Sequence, residues 1–303
     1  MTDQLRTPAV LVITDNPSVR FWVKKQLDEQ FFILDATETD EARIVTLDFP
    51  LDLIIVDEAF EEIRPFELCH IIRGTSLNSS TPILLITARL NKAHRKKALA
   101  AGITDFLSDQ LDSNELRQRV EESKRANRTR TKTSGVFTLK QPMKDKSSTS
   151  LKGHTVSHKQ AEQIFSEEQK SERPSSLLVL KIDQFLNLDL AEKEEIIPLL
   201  STFLLRCTSQ KDLMIPLEGG RFTLLLPTTQ IRRAKKIARI LQKELKKHLF
   251  KTKKGDLHIS TSVAISKVNG SDKSLSELIE MANEAFDQSH ATDATITLDE
   301  KDL

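Results

Sequence analysis

The chain has 303 residues and a formal net charge of +1 at pH 7, long enough for two domains of ordinary size and too nearly neutral for the whole molecule to act as a polyanion binder. No apolar run reaches the roughly 18 residues of a membrane span, and the N-terminus lacks the apolar segment of a secretory signal, which excludes membrane insertion and gives the expectation of a soluble, cytoplasmic protein. Cys69 and Cys207 lie in apolar helical patterns and read as buried free thiols, the seven histidines, among them His154, His158 and His258, show no zinc spacing, and 8 glycines with no tyrosine disfavour a loop-rich nucleotide site.

Residues 1–126 alternate apolar strands with amphipathic helices. Strands are predicted at 9–14, 31–36, 51–56, 83–87 and 105–107, and helices at 19–27, 41–47, 66–73, 92–101 and 113–126, the last capped by Ser113. Five βα repeats imply an α/β domain with a doubly wound, five-stranded parallel sheet of flavodoxin type, any site lying at the carboxyl ends of the strands. Asp15, Asp57 and Thr87 stand at such ends. Together with Pro82-Ile-Leu-Leu-Ile-Thr-Ala88 and Ala101-Gly-Ile-Thr-Asp-Phe-Leu107 they form a pattern that resembles the receiver domain of bacterial response regulators. The resemblance implies a phosphoacceptor at Asp57, a hydroxyl at Thr87 that bonds the phosphoryl group, a switch aromatic at Phe106, and Mg²⁺ held by Asp15 and Asp57.

Two positions depart from that pattern. Receivers place two acids after the first strand, where this chain has Thr14-Asp15, and a lysine where it has Asp109. A carboxylate facing a phosphoryl group repels it, and one lost acid weakens the metal site. The loop 58–65 also lacks the usual Met-Pro and Gly. The reading is an atypical receiver that works without phosphorylation. The alternative is a response regulator switched at Asp57 by a histidine kinase, with the second domain as its effector surface or a nucleotide receptor.

Residues 127–151 are rich in Lys, Arg, Ser and Thr, show no periodicity and include Gly135 and Pro142, so they read as a basic, flexible tether. Without interleaved aromatics, nucleic acid is disfavoured as a partner.

Residues 152–303 predict helix 156–170, strand 176–182, helix 191–207, a hairpin over 213–227, helix 231–248, strand 257–266, helix 275–288 and a last strand 294–298. This is the β-α-β-β-α-β order of an α+β, ferredoxin-like domain. The hairpin turns at Gly219-Gly220, and the apolar run after it reads as a buried central strand. Glu218-Gly219-Gly220-Arg221-Phe222, followed by an apolar strand ending in Pro227, resembles the signature of GGDEF domains, the diguanylate cyclases that join two GTP into cyclic di-GMP. The family holds its catalytic Mg²⁺ with the third signature residue and with an acid that opens Asp-x-Asp-x-Phe. Here the third signature residue is Gly220, the fourth is Arg221, and the second motif begins at Lys181 and continues to Asp183 and Phe185.

The other landmarks of the family are altered too. Asp189 replaces the asparagine before a guanine-binding loop that is missing, Ser209 replaces the arginine of the product-inhibition site, and the entry motif is reduced to Leu151-Lys-Gly153 and Ser157-His158. His290 and Ala294 stand where phosphate-gripping cations are usual. Phe185, Phe222, Pro227 and Ser262-Val263-Ala264, which serve packing, are kept. The resemblance thus implies a degenerate GGDEF module, a pseudoenzyme without catalytic residues, that would bind cyclic di-GMP poorly at the inhibitory site. Lys181 and Arg221 could contact an anion, or else pair with Glu218 or Asp183. The implied partners are signalling proteins, a histidine kinase or a localisation or motility factor, and the resemblance also admits a homodimer.

Overall fold

The computed structural model describes residues 8–27, 31–62, 64–75, 77–89, 91–110, 112–133, 158–209, 211–269, 273–289 and 291–298, with backbone only at 124–133 and 158–160. The chain divides into two compact units, 1–148 and 149–303. Among the described residues no helix is long and apolar enough to cross a membrane.

In the first unit the elements run β1 (Ala9–Ile13), α1 (Pro17–Leu27), β2 (Phe32–Ala36), α2 (Thr39–Asp48), β3 (Leu53–Asp57), α3 (Pro65–Arg73), β4 (Ile83–Thr87), α4 (Lys92–Ala100), β5 (Asp105–Ser108) and α5 (Ser113–Thr133). All five strands are parallel, in the order β2-β1-β3-β4-β5. The central strands β1, β3 and β4 are apolar up to their carboxyl ends because both faces are covered. On one face Val10, Val12, Leu53, Ile55, Leu84 and Ile86 pack against Val19 and Val23 of α1 and Leu116 and Val120 of α5. Of α4 only Ala98 is fully buried. Cys69 is buried in α3, and burial pushes its thiol up to about 12.

Two local readings change. The cap of α5 is Asp112 rather than Ser113: its Oδ1 accepts the backbone N–H groups of Asn114 and Glu115, each at 2.8 Å. The carboxylate sits one residue earlier and accepts two of the orphan amides of the first turn. Helix α5 also runs to Thr133, seven residues into the stretch read as tether, since Lys and Arg are good helix formers even without apolar periodicity. The rest of that tether, with Leu151, Gly153, His154 and Ser157, lies outside the described residues, as does His290.

The second unit contains α6 (His158–Lys170), β6 (Ser176–Ile182), α7 (Leu190–Arg206), β7 (Leu213–Leu217), β8 (Arg221–Leu226), α8 (Ile231–Lys247), β9 (Phe250–Thr252), β10 (Gly255–Leu257), β11 (Thr261–Lys267), α9 (Leu275–Ser289) and β12 (Thr295–Thr297). The main sheet has the order β12-β11-β6-β8-β7. Within it β11-β6-β8-β7 is the ferredoxin-like antiparallel set, and β12 adds parallel to β11. Pro216 fits because β7 is an edge strand, where a missing amide costs no ladder bond. Leu177, Val179 and Ala264 point to the face covered by α6 and α9. Residues alternate along a strand, so α8, which packs on β6 and β11 outside that cluster, covers the other face. The strand expected over 257–266 is β11, which starts only at Thr261, while Leu257 ends a separate strand, β10. Lys253-Lys254 turns a small hairpin of β9 and β10, with Gly255, the first residue of β10, at φ 137°, before β11 begins.

Candidate functional site

The carboxyl ends of β3 and β4 open into a cavity of about 450 Å³ lined by Asp57, Glu58, Arg64, Phe66, Thr87, Arg89 and Asp109, among others. Asp57 is buried, and both of its oxygens are engaged. Thr14 Oγ1 donates to Oδ2 at 2.8 Å, and the Ala59 N–H donates to Oδ1 at 3.0 Å. Thr14 therefore satisfies the carboxylate with a hydroxyl where the resemblance expects a second acid.

Asp15 is exposed and does not line the cavity, so the expected pairing of Asp15 with Asp57 around one metal is not assembled there. Asp57 is the one acid of the expected pair on the cavity, and both its oxygens already accept protein hydrogens, which weakens its site for a hard cation. Asp109 does line the cavity and adds negative charge to it. Phe106 is buried beneath Arg95, whose guanidinium carbon lies 5.1 Å from the ring centroid, and it takes no part in the cavity wall.

Thr87 lines the same cavity as Asp57, and its hydroxyl is already engaged. Its hydroxyl donates to Glu58 Oε2 and accepts the Arg89 N–H at 2.8 Å. Glu58 Oε1 lies 3.2 Å from His94 Nε2 of α4, an ion-pair distance without the alignment of a hydrogen bond, and the His94 ring stacks at a tilt on Phe66. The sequence reading left out Glu58 and His94. An acid directly after the phosphoacceptor position was the available signal for Glu58; His94 carried none, because its role depends on how α4 lies over β4.

In the second unit β6 and β8 bring Lys181 directly opposite Arg221. Two facing cations repel unless neutralised. Lys181 Nζ lies 3.6 Å from Asp287 and 5.5 Å from the centre of the Phe286 ring; Arg221 donates from Nη1 to Asn283 Oδ1 at 2.6 Å and from Nε to the Glu218 carbonyl at 2.9 Å. The partners thus come from α9 and a backbone carbonyl, rather than from the side chains of Glu218 and Asp183 proposed from sequence.

Asp183 is used differently. Its carboxylate accepts Ser260 Oγ at 2.7 Å, Ser262 Oγ at 2.5 Å and the Asp293 N–H at 2.9 Å, fastening β6 to the entries of β11 and β12. Replacing Asp183 with Ala strands three donors at once and should lower the melting temperature of this unit by roughly 5–15 °C, with Asp183→Asn less affected. A thermal melt of Asp183→Ala that matches the unmodified protein would remove Asp183 from this role.

The turn between β7 and β8 has three residues, Glu218, Gly219 and Gly220, with both glycines at φ 71°. A Cβ on Gly220 would come within 2.4 Å of the Phe185 ring. Phe222 is fully buried behind the turn. Asp189, at the guanine-reading position, instead caps α7 in a reciprocal capping box with Glu192 and pairs with Lys254. Ser209 donates its N–H to Asp212 at 2.7 Å. Among the described residues no three His, Cys, Asp or Glu side chains gather as metal ligands do.

Comparison with known families decides what these two units are. Residues 10–121 match the response regulator receiver domain, and residues 145–294 match the diguanylate cyclase GGDEF domain. The chain joins a receiver domain to a GGDEF domain. These are domains of two-component and cyclic di-GMP signalling. The hybrid signal transduction histidine kinase D of Dictyostelium discoideum is 30% identical to the receiver–GGDEF chain over 113 residues, 37% of this chain and 7% of that protein. The transcriptional regulatory protein YvrH of Bacillus subtilis is 28% identical over 118 residues, 38% of this chain and 48% of that protein. The chain therefore spans less than half the length of either relative. The active GGEEF domain of a diguanylate cyclase from Vibrio cholerae aligns with a TM-score of 0.41 and 15% identity, covering 47% of this chain and 94% of that one.

Proposed function

We propose that this receiver–GGDEF chain is a non-catalytic, cytoplasmic signalling protein that acts through protein contacts, with the receiver as residues 1–126, a basic connection over 127–151 and a degenerate GGDEF module over 152–303. The observation that carries the reading is the state of Lys181 and Arg221. They stand at and beside the positions where the family holds metal, and both are held by α9, Lys181 in an ion pair with Asp287 and Arg221 in a hydrogen bond to Asn283. A magnesium triphosphate would have to displace these contacts and would then find no carboxylate in their place. Leu186 and Leu190, where the guanine loop is missing, are exposed to 87% and 73%, an apolar surface suited to a protein partner rather than to a purine edge.

The receiver is proposed to work without acyl phosphate, its partner being a signalling protein. The alternative, a switch loaded at Asp57 by a histidine kinase with Mg²⁺, draws its support from the position of Asp57 on an open cavity.

Calorimetry tests the second domain. Neither GTP with Mg²⁺ nor cyclic di-GMP is expected to bind measurably at micromolar protein, because Ser209 offers no guanidinium fork and Lys181 and Arg221 are already paired. Sub-micromolar affinity for cyclic di-GMP would make the module a nucleotide receptor instead.

A further inference from the structure

Glu58 directly follows the last residue of β3, and its backbone is fixed before its side chain is used. The Glu58 N–H donates to the Ile86 carbonyl at 2.9 Å, which carries the β3–β4 ladder one residue past Asp57. The carboxylate lines the cavity and uses both oxygens. Oε2 accepts the Thr87 hydroxyl, and Oε1 lies 3.2 Å from His94 Nε2 of α4. The His94 side chain is only 12% exposed and rests on Phe66 of α3, the ring centroids 5.4 Å apart. One carboxylate thus bridges β4 and α4.

Little else fastens α4. Ala98 is its one fully buried side chain, Arg95 lies over Phe106, and Lys92, Lys96, Lys97 and Leu99 are exposed. Among the described residues, His94 is the one titratable side chain of α4 that meets an acid. A helix of nine residues is marginal on its own in water, so its contacts with the sheet decide how firmly it is held.

From this geometry we infer that Glu58 is an internal anionic ligand of the receiver cavity, a tethered carboxylate that clasps α4 to β4 through Thr87 and His94. That the clasp sets α4 permanently rests on a receiver that works without acyl phosphate, as proposed above. A bound group biases a two-state element only by contacts it makes in one state and not in the other. Here the contacts to Thr87 and α4 are supplied by the chain itself, at the effective concentration of a tethered group. An anion added at Asp57 finds the Thr87 hydroxyl taken and meets Glu58 and Asp109 as like charges on the same cavity. Arg64 and Arg89 also line the cavity, Arg64 reaching the exposed Glu67 at 3.8 Å, so removal of Glu58 leaves the two acids Asp57 and Asp109 with two arginines.

Hydrogen exchange on the full-length protein tests the clasp, read at the α4 amides 95–101 with β1 and β3 as internal controls. Glu58→Ala should speed exchange in α4 at least about tenfold and leave β1 and β3 within about twofold, because α4 opens locally while the sheet opens only with the whole unit. His94→Ala removes the clasp from the other side and should give the same pattern. The double variant should exchange no faster in α4 than the faster single variant, since both substitutions break one contact. A carboxylate can also be supplied from solution. Formate titrated to about 0.1 M should slow α4 exchange in Glu58→Ala and saturate, where chloride at the same ionic strength has no effect. In His94→Ala, which keeps Glu58, formate should change nothing. Unchanged α4 exchange in both single variants overturns the clasp. So does protection lost equally from β1 and β3, or a Glu58→Ala variant that formate does not protect again. If Glu58→Ala fails to fold, His94→Ala alone decides by the same comparison of α4 with β1 and β3. Acetyl phosphate separates the clasp from its permanence. If it alters α4 exchange in the unmodified protein while the variants and formate behave as expected, the clasp stands and the phosphorylation-independent receiver falls.

Discussion

Gly220→Glu, which returns an acid to the third signature position, is expected to destabilise the second unit by about 2–5 kcal/mol and to restore no cyclase activity. The glycine has φ 71°, which costs an L-residue about 1–2 kcal/mol, and its missing Cβ is replaced by the Phe185 ring at 2.4 Å, so the new side chain must also displace an aromatic. Adding Lys181→Asp and Arg221→Glu would create three acids, but it would release Asp287 and Asn283 of α9 from their cations and set like charges against Asp287. Incubation of the unmodified protein, Gly220→Glu or the triple variant with GTP and Mg²⁺ or Mn²⁺ should therefore yield no cyclic di-GMP, and thermal unfolding should reveal the loss of stability in the two variants. Product from the unmodified protein that a hairpin substitution abolishes would sink the pseudoenzyme reading.

The second large expectation is a null response at the receiver. Acetyl phosphate or beryllofluoride should leave the oligomeric state unchanged, and Asp57→Asn should leave partner capture in native cells near its original level. A two-state element moves only by the difference in free energy that the ligand contributes to its two states. In this receiver the expected contributors are committed elsewhere: Thr87 donates to Glu58, Thr14 to Asp57, and Asp109 presents a carboxylate where a cation would be needed. The loss of one charge-assisted bond of about 1.5–3 kcal/mol already removes much of the usual bias. Asp57→Asn keeps an oxygen to accept the Thr14 hydroxyl, so the variant should stay folded. If it nevertheless abolishes partner capture, the phosphoswitch is the correct mechanism.

The sheets were legible in the sequence because their signals are local. Five apolar strands alternating with amphipathic helices fix a parallel sheet, and Gly219-Gly220 between apolar runs fixes a hairpin. The failures came where the deciding signal was not apolar periodicity. Asp112 outcompeted Ser113 for the cap of α5 by one position, and the β9–β10 hairpin, Phe250 to Leu257, is short and mostly polar, with no apolar alternation to mark its strands. At the sites, the identity of the altered positions could be read directly, whereas their partners could not. Nothing along the chain pairs Arg221 with Asn283, 62 residues away, or sets Lys181 against Asp287. Those contacts exist because α9 crosses the sheet beside β6 and β8.

The carboxylate of Asp183 also bears on how the second unit is made. Its three donors, Ser260, Ser262 and Asp293, lie 77, 79 and 110 residues later in the chain. During synthesis at about 5–20 residues per second, roughly 5–20 s separate the appearance of Asp183 from that of its last partner. Until residues 260–267 are made, β6 is without any of these three clasps and without β11, its neighbour on one side in the sheet. The apolar run of β6 leaves the ribosome well before the strand that shields it, so the nascent chain is most exposed to aggregation, and most dependent on chaperones, in the stretch between α7 and β11.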